Sequence, residues 1–195
     1  MRKLYIGVAG VIASGKTTVT KAIAQNYSLQ VLSFGGVLRE YCLQNSIIPS
    51  RSNLQNLGQK LITQLGQRGF MHWTMENASS ISWKNGIILD GFRHKDVYKE
   101  FKFIFPNSIL IFCDCPKDAQ VVRICQRDKI SPREAREIIE HPSEQDIKAL
   151  KDSADFIFTP QDTPQKLIEW IANKTKISLT TVQKQSFINN FGKDL

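Results

Sequence analysis

The chain has 195 residues, 42% hydrophobic and 23% charged, enough apolar material for one compact core without a disulfide or metal staple. A formal net charge of +8 suits polyphosphate ligands as well as nucleic acid or a membrane surface, and the scattered Lys and Arg residues form no like-charge run of the kind that makes a binding tail. The four cysteines, Cys42, Cys113, Cys115 and Cys125, match no zinc spacing and read as buried free thiols of a reducing compartment. With no signal peptide in view and no apolar stretch near the roughly 18 residues of a membrane helix, the cytoplasm is the expected location and no membrane partner is expected.

Residues 4–9 form the first apolar run, followed by a helix over 16–25 with Val19, Ala22 and Ile23 on its inner face. A short second strand is read at Val31 and Leu32. The stretch 35–83 is too long for one crossover and predicts a helical insertion, in which Leu54, Leu57, Leu61 and Leu65 recur at helical spacing as a core stripe. A third strand at 87–89 leads to a helix at 95–101, and a fourth at 109–113 to a helix at 118–127 that turns Val121, Val122 and Cys125 inward. The charged segment 127–142 begins in a turn at Ser131-Pro132. A fifth strand at 156–158 precedes a helix at 164–172, with Thr163 as its cap and Pro164 at its first position. Strands that are continuously apolar and alternate with helices predict an α/β fold whose parallel sheet, of about five strands, is covered on both faces. Residues 173–195 are polar and weakly patterned, a last helix or an extension.

Residues 10–17 read GVIASGKT, a full G-x-x-x-x-G-K-[ST] set between a strand and a helix. Glycine at Gly10 and Gly15 lets the backbone wrap a phosphate, so that amides of Ala13, Ser14, Gly15, Lys16, Thr17 and Thr18 face an anion at a helix N-terminus. Lys16 reaches β and γ oxygens, and the Thr17 hydroxyl is a ligand for Mg²⁺. The motif by itself predicts only that a polyphosphate binds.

After the third strand comes Asp90-Gly91-Phe92-Arg93. Asp90 ends a parallel strand beside the phosphate loop, where a carboxylate helps hold Mg²⁺ or its waters. Gly91 follows, not the Glu that would orient an attacking water, and there is no Asn-Lys-x-Asp guanine-reading motif. Both absences favour transfer over hydrolysis. The three histidines, His72, His94 and His141, share no metal or triad spacing.

The phosphate loop, Ser33-Phe34-Gly35-Gly36-Val37-Leu38-Arg39 and Asp90-Gly91-Phe92-Arg93 together resemble adenylate kinase and its relatives, the nucleoside monophosphate kinases. In these the second segment opens the acceptor-binding insertion and the third reads D-G-F-P-R. Gly36 stands where that family has Asp, and the Pro before Arg93 is missing. The stretch from Leu38 through Gly58 is similar to a deoxynucleoside monophosphate kinase and dephospho-CoA kinase-like branch, and the likeness spans about residues 4–172. The resemblance implies a three-layer P-loop NTPase sandwich. One kinase domain would cover 1–172 (core 1–33 and 84–172, acceptor-binding helical insertion 34–83, short lid 127–142), with 173–195 as a C-terminal extension.

The resemblance further implies ATP as donor with Mg²⁺, and nucleotide substrates as partners of a monomer or homodimer. Lys16, Asp90, Arg93 and Arg127 would be the catalytic groups, with Thr17 and Asp90 at the metal. Arg39, Arg51 and Arg93 would clamp the acceptor phosphate through bidentate guanidinium contacts. Arg123 and Arg127, one helical turn apart, would reach the ATP phosphates, with Arg133 and Arg136 beyond them in the lid. The loop Thr159-Pro160-Gln161 would border adenine, and Phe34, Leu38, Leu61, Phe70 and Trp73 would line the acceptor base pocket. Two alternatives stay open. One is a dephospho-CoA or other alcohol acceptor with Asp90 as general base. The other is a nucleotide-gated RNA- or protein-binding module without turnover.

Overall fold

A computed structural model of the chain describes residues 3–78, 81–83, 86–140 and 142–177, with Arg51 and residues 142–146 described in their backbone alone. Its strands are β1 (Leu4–Gly10), β2 (Gln30–Ser33), β3 (Gly86–Phe92), β4 (Ile109–Cys113) and β5 (Phe156–Phe158), all parallel in the order β2-β3-β1-β4-β5. Parallel neighbours cannot be joined by hairpins, so helices carry every crossover. These are α1 (Lys16–Tyr27), then α2 (Phe34–Gln44) with α3 (Arg51–Glu76), then α4 (Lys95–Ile104), then α5 (Lys117–Asp128), α6 (Pro132–Glu140) and α7 (Pro142–Lys151). A last helix, α8 (Pro164–Thr175), follows β5.

The continuous apolar strands are explained by burial on both faces. Ile6, Val8, Ile88 and Ile111 pack on one side with Val19 and Ile23 of α1 and Leu167, Ile168 and Ile171 of α8. Ile87, Leu89, Leu110 and Phe112 pack on the other with Phe34 of α2, Phe70 and Met71 of α3 and Phe101 of α4. Strand neighbours thus alternate between two cores, and the sheet is the middle of three layers.

Several local devices fix the element ends. Thr163 caps α8 by accepting from the Lys166 amide, with Pro164 behind it, as its sequence indicates. Ser131 and Glu134 form a reciprocal capping pair at α6: the Glu134 carboxylate accepts from the Ser131 amide and hydroxyl, and the Glu134 amide donates to Ser131 Oγ. The charged segment after Arg127 is therefore helical. Its Ala135 and Ile139 join Val121 and Ile124 of α5 in a small cluster against Ile12 and Ala13, fixing α5 beneath the phosphate loop.

Two side-chain assignments are corrected. Val122 is exposed, and Ile124 takes the inner position with Val121, because α5 turns the i, i+3 pair inward rather than adjacent residues. Leu65 is 46% exposed although Leu61 is buried and Leu54 and Leu57 pack on the core. Leu65 is the last residue before Gly66, whose φ of 69° and ψ of 171° break α3 into two helical segments, so the stripe ends where the first segment does. The thiols of Cys42, Cys113 and Cys115 are buried and free, and Cys125 is partly exposed. His141 and residues 178–195 lie outside the described residues. Among the described residues no helix is long and apolar enough to cross a membrane.

Candidate active site

The sheet order makes β1 and β3 direct neighbours, which brings the two sequence motifs together. Val8 pairs with Asp90, but Ala9 pairs with Phe92, so Gly91 is an extra residue on β3. Its φ of 94° lies in the left-handed region that glycine adopts without penalty. The bulge bends the end of β3 next to the loop that follows β1.

That loop leaves β1 at Gly10, where a Cβ would come within 2.2 Å of the Cys113 carbonyl oxygen, so β4 enforces glycine there. Ala13 (φ 58°) and Gly15 (φ 88°) are both left-handed, curling the chain before α1 begins at Lys16. Gly15 caps α1 with no side-chain acceptor, which leaves the helix's first amides for an anion. The Lys16 ammonium folds back across the loop and donates to the Gly10 and Val11 carbonyls, each at 2.8 Å.

A cleft of about 750 Å³ opens over this loop. It is lined by Gly10, residues 13–18, Arg123 and Arg127, every residue assigned to the triphosphate from sequence, and also by Arg93. Arg123 donates to the Ala13 carbonyl at 2.9 Å, tying α5 to the loop. Arg127 makes a two-pronged pair with Asp128, both contacts at 2.7 Å. Gly91 and Phe92 of the Asp90–Arg93 segment and Ile12 of the phosphate loop complete the wall with Ile147 of α7, which no local motif marked. Thr159, Pro160 and Gln161 are absent from this lining. Arg133 is 87% exposed on its side chain and pairs with Glu137; neither Arg133 nor Arg136 lines the cleft.

A second cavity of about 1030 Å³ lies between α2, α3 and the end of β3. Arg39 and Arg93 both line it, with Phe34, Leu38 and Phe70 of the expected pocket. Leu61 and Trp73 do not: Leu61 is buried in the core, and Trp73 packs against Tyr41 and Phe70. The side chain of Arg51, which starts α3, lies outside the described residues. Side chains not anticipated here are Gln55, Asn56 and Gln59 of α3 and His94 at the start of α4. His72 is elsewhere, 3.0 Å from the buried Glu100 carboxylate, which also accepts from Arg68.

Asp90 lines this second cavity and stands next to Lys16. Burial pushes its carboxyl above the ordinary range, and the Lys16 charge and the Gly91 amide pull it partly back. Its Oδ1 is buried with no hydrogen-bond partner, and so is the hydroxyl of Ser14 in the loop. A buried carboxylate oxygen without a partner is costly. Together with the Thr17 hydroxyl in the adjoining cleft, it is the donor set that suits a hard cation such as Mg²⁺ held partly through water.

Comparison with known proteins finds relatives of similar sequence and solved structures of similar fold. A UPF0200 protein of Thermococcus onnurineus is 25% identical over 151 residues, covering 76% of this chain and 80% of that one. A dephospho-CoA kinase of Fusobacterium nucleatum is 27% identical over 164 residues, covering 71% of this chain and 81% of that protein. In solved structures, TT1252 of Thermus thermophilus superposes with a TM-score of 0.61 at 16% identity, over 89% of this chain and 98% of that chain. A shikimate kinase of Bacteroides thetaiotaomicron does so with a TM-score of 0.56 at 16% identity, over 89% and 99%. These two structural likenesses establish the α/β P-loop kinase fold. Residues 9–142, which run from the end of β1 through the phosphate loop, Asp90 and α6, match the family described as AAA domain, and the chain belongs to that family.

Proposed function

We propose that the chain is an ATP-dependent phosphotransferase that moves the γ-phosphate of Mg-ATP to a nucleoside or deoxynucleoside monophosphate. The observation that carries this reading is the pairing of two cavities at the end of β3, with Gly91 and Arg93 in the wall of both. A hydrolase needs only the first. A transferase needs a second site that holds an acceptor in line with the donor and excludes water.

On this reading residues 34–83 are the acceptor-binding insertion and 127–142 the lid, on a core of 1–33 and 84–172. Lys16 and the loop amides hold the β and γ phosphates, with Arg123 and Arg127 over them. Arg39 and Arg93, with Arg51 from the start of α3, hold the acceptor phosphate. One of its oxygens attacks the γ phosphorus, the bond to the bridging β–γ oxygen breaks, and ADP leaves. Arg93, at the shared rim, faces the charge that builds between the two sites. Thr17 and Asp90 are the residues that would hold Mg²⁺, which neutralises phosphate charge when bound.

An alcohol acceptor is the second reading. Asp90 lines the acceptor cavity with a raised-pKa carboxyl whose Oδ1 has no hydrogen-bond partner, as a general base for a hydroxyl would, and one relative is named dephospho-CoA kinase.

The test is Mg-ATP with each ribo- and deoxynucleoside monophosphate, with dephospho-CoA, and with water alone. ADP is expected with at least one monophosphate, and Lys16→Ala is expected to abolish it. Phosphorylation of dephospho-CoA alone moves the assignment to the alcohol reading. No transfer to any acceptor while ATP still binds sinks both.

A further inference from the structure

The acceptor cavity has two unlike walls. Its formal charges come from Arg39 on α2 and from Asp90 and Arg93 at the end of β3, with titratable His94 next to Arg93. Among the described side chains, those of the α3 wall carry no charge. The wall presents Leu54, Gln55, Asn56, Gly58, Gln59 and Ile62, although Lys60 lies on the same helix and stays out of the lining. Phe34 and Leu38 of α2 line the cavity too, and Phe34 stacks on Phe70 of the second α3 segment with centroids 5.4 Å apart.

Gln55 and Gln59 are one helical turn apart, so they share a face about 6 Å long along the helix axis. Each amide offers both donors and an acceptor. Both are exposed in the open cavity, so water satisfies them until a ligand replaces it. A ligand matched to these walls has an anionic end at the arginines and a flat, neutral end bearing mixed donors and acceptors. A purely apolar tail would strip the amides of water without return.

We infer that Gln55 and Gln59 of α3 are specificity-determining residues of the acceptor site, reading the hydrogen-bonding edge of a nucleobase-type ring packed on the Phe34–Leu38 wall. This rests on the proposed two-site reading, but its test is equilibrium binding and needs no turnover.

The probes are the nucleoside monophosphates, dephospho-CoA and ribose 5-phosphate, which keeps the sugar and phosphate and lacks the ring. Binding to the full chain is measured by calorimetry, for wild type and for the Gln55→Leu/Gln59→Leu double variant. Wild type is expected to bind at least one ring-bearing ligand about tenfold or more tighter than ribose 5-phosphate. The double variant is expected to lose that margin with ribose 5-phosphate and ATP affinities unchanged and its melting temperature held. Equal binding of ribose 5-phosphate and every ring-bearing ligand by wild type overturns the inference. So does a double variant that keeps its margin or weakens all ligands alike, and so does failure of every ring-bearing ligand to bind. Ring-selective binding without any transfer would leave the inference standing and remove the kinase reading alone.

Discussion

At the scale of single residues, Asp90 is where function and stability pull apart. Its pKa is raised by burial, which means that the fold prefers the protonated form. The folded protein therefore loses stability as pH rises from the ordinary carboxylate range through the folded value, because ionisation is easier in the unfolded chain. Asp90→Asn removes that ionisable group while keeping its size. In the absence of ligand at pH 7, the variant is expected to melt higher than wild type, with roughly 2–4 °C for each kcal/mol gained in a chain of this length. The gap should close at acid pH, where wild-type Asp90 is neutral too. Turnover with Mg-ATP should fall by about 10²-fold or more, as for loss of a group that stabilises transferring charge. A melting gap that persists unchanged at low pH would show that the gain does not come from ionisation. Residues of this kind were legible in sequence because the phosphate loop and the Asp90 segment are contiguous patterns whose backbone geometry is local. Gln55 and Gln59 were not: a glutamine on a helix means nothing until the chain around it bends to make a cavity.

At the scale of elements, the bend in question is at Gly66. Sequence indicated a helical insertion and a Leu stripe, and both are present, yet nothing local distinguishes Gly66 from Gly58 or Gly69, which lie in regular helix. The strands were legible because residues buried on both faces leave long apolar runs. Helix faces were less so, as Val122 and Leu65 show, since a one-residue error in phase turns a side chain out. Gly66 sits at φ 69° and ψ 171°, a combination that only glycine adopts without strain. No atom would meet an added Cβ, so any effect of Gly66→Ala comes from the backbone alone. Residues before it, from Leu54 to Ile62, line the second cavity; after it, Phe70 lines the cavity too, and the buried Met71 and Thr74 anchor the segment in the core. Gly66→Ala is expected to cost about 1–3 kcal/mol in denaturant unfolding, and to weaken acceptor binding while ATP affinity holds. Unchanged acceptor affinity, with the stability loss observed, would mean that the angle between the two segments does not shape the cavity.

At the scale of the whole molecule, the arrangement that matters is the common rim of the two cavities. Arg39 lines only the second cavity, whereas Arg93 lines both. If the cavities form one reaction site, these two arginines must differ in kind. Removing Arg39 takes away binding that the acceptor enjoys equally before and during reaction, so Arg39→Ala should raise the acceptor KM by about tenfold or more with kcat and the ATP KM little changed. Removing Arg93 takes away a charge from the place where phosphoryl transfer occurs, so Arg93→Ala should lower kcat by about 10²–10³-fold and weaken both substrates. The double variant adds a sharper condition. Two groups that grip the same acceptor phosphate couple, so the combined loss in kcat/KM should depart from the product of the single losses. Strict multiplicativity would mean that the arginines hold different ligands, and the second cavity would then not be the acceptor half of the first.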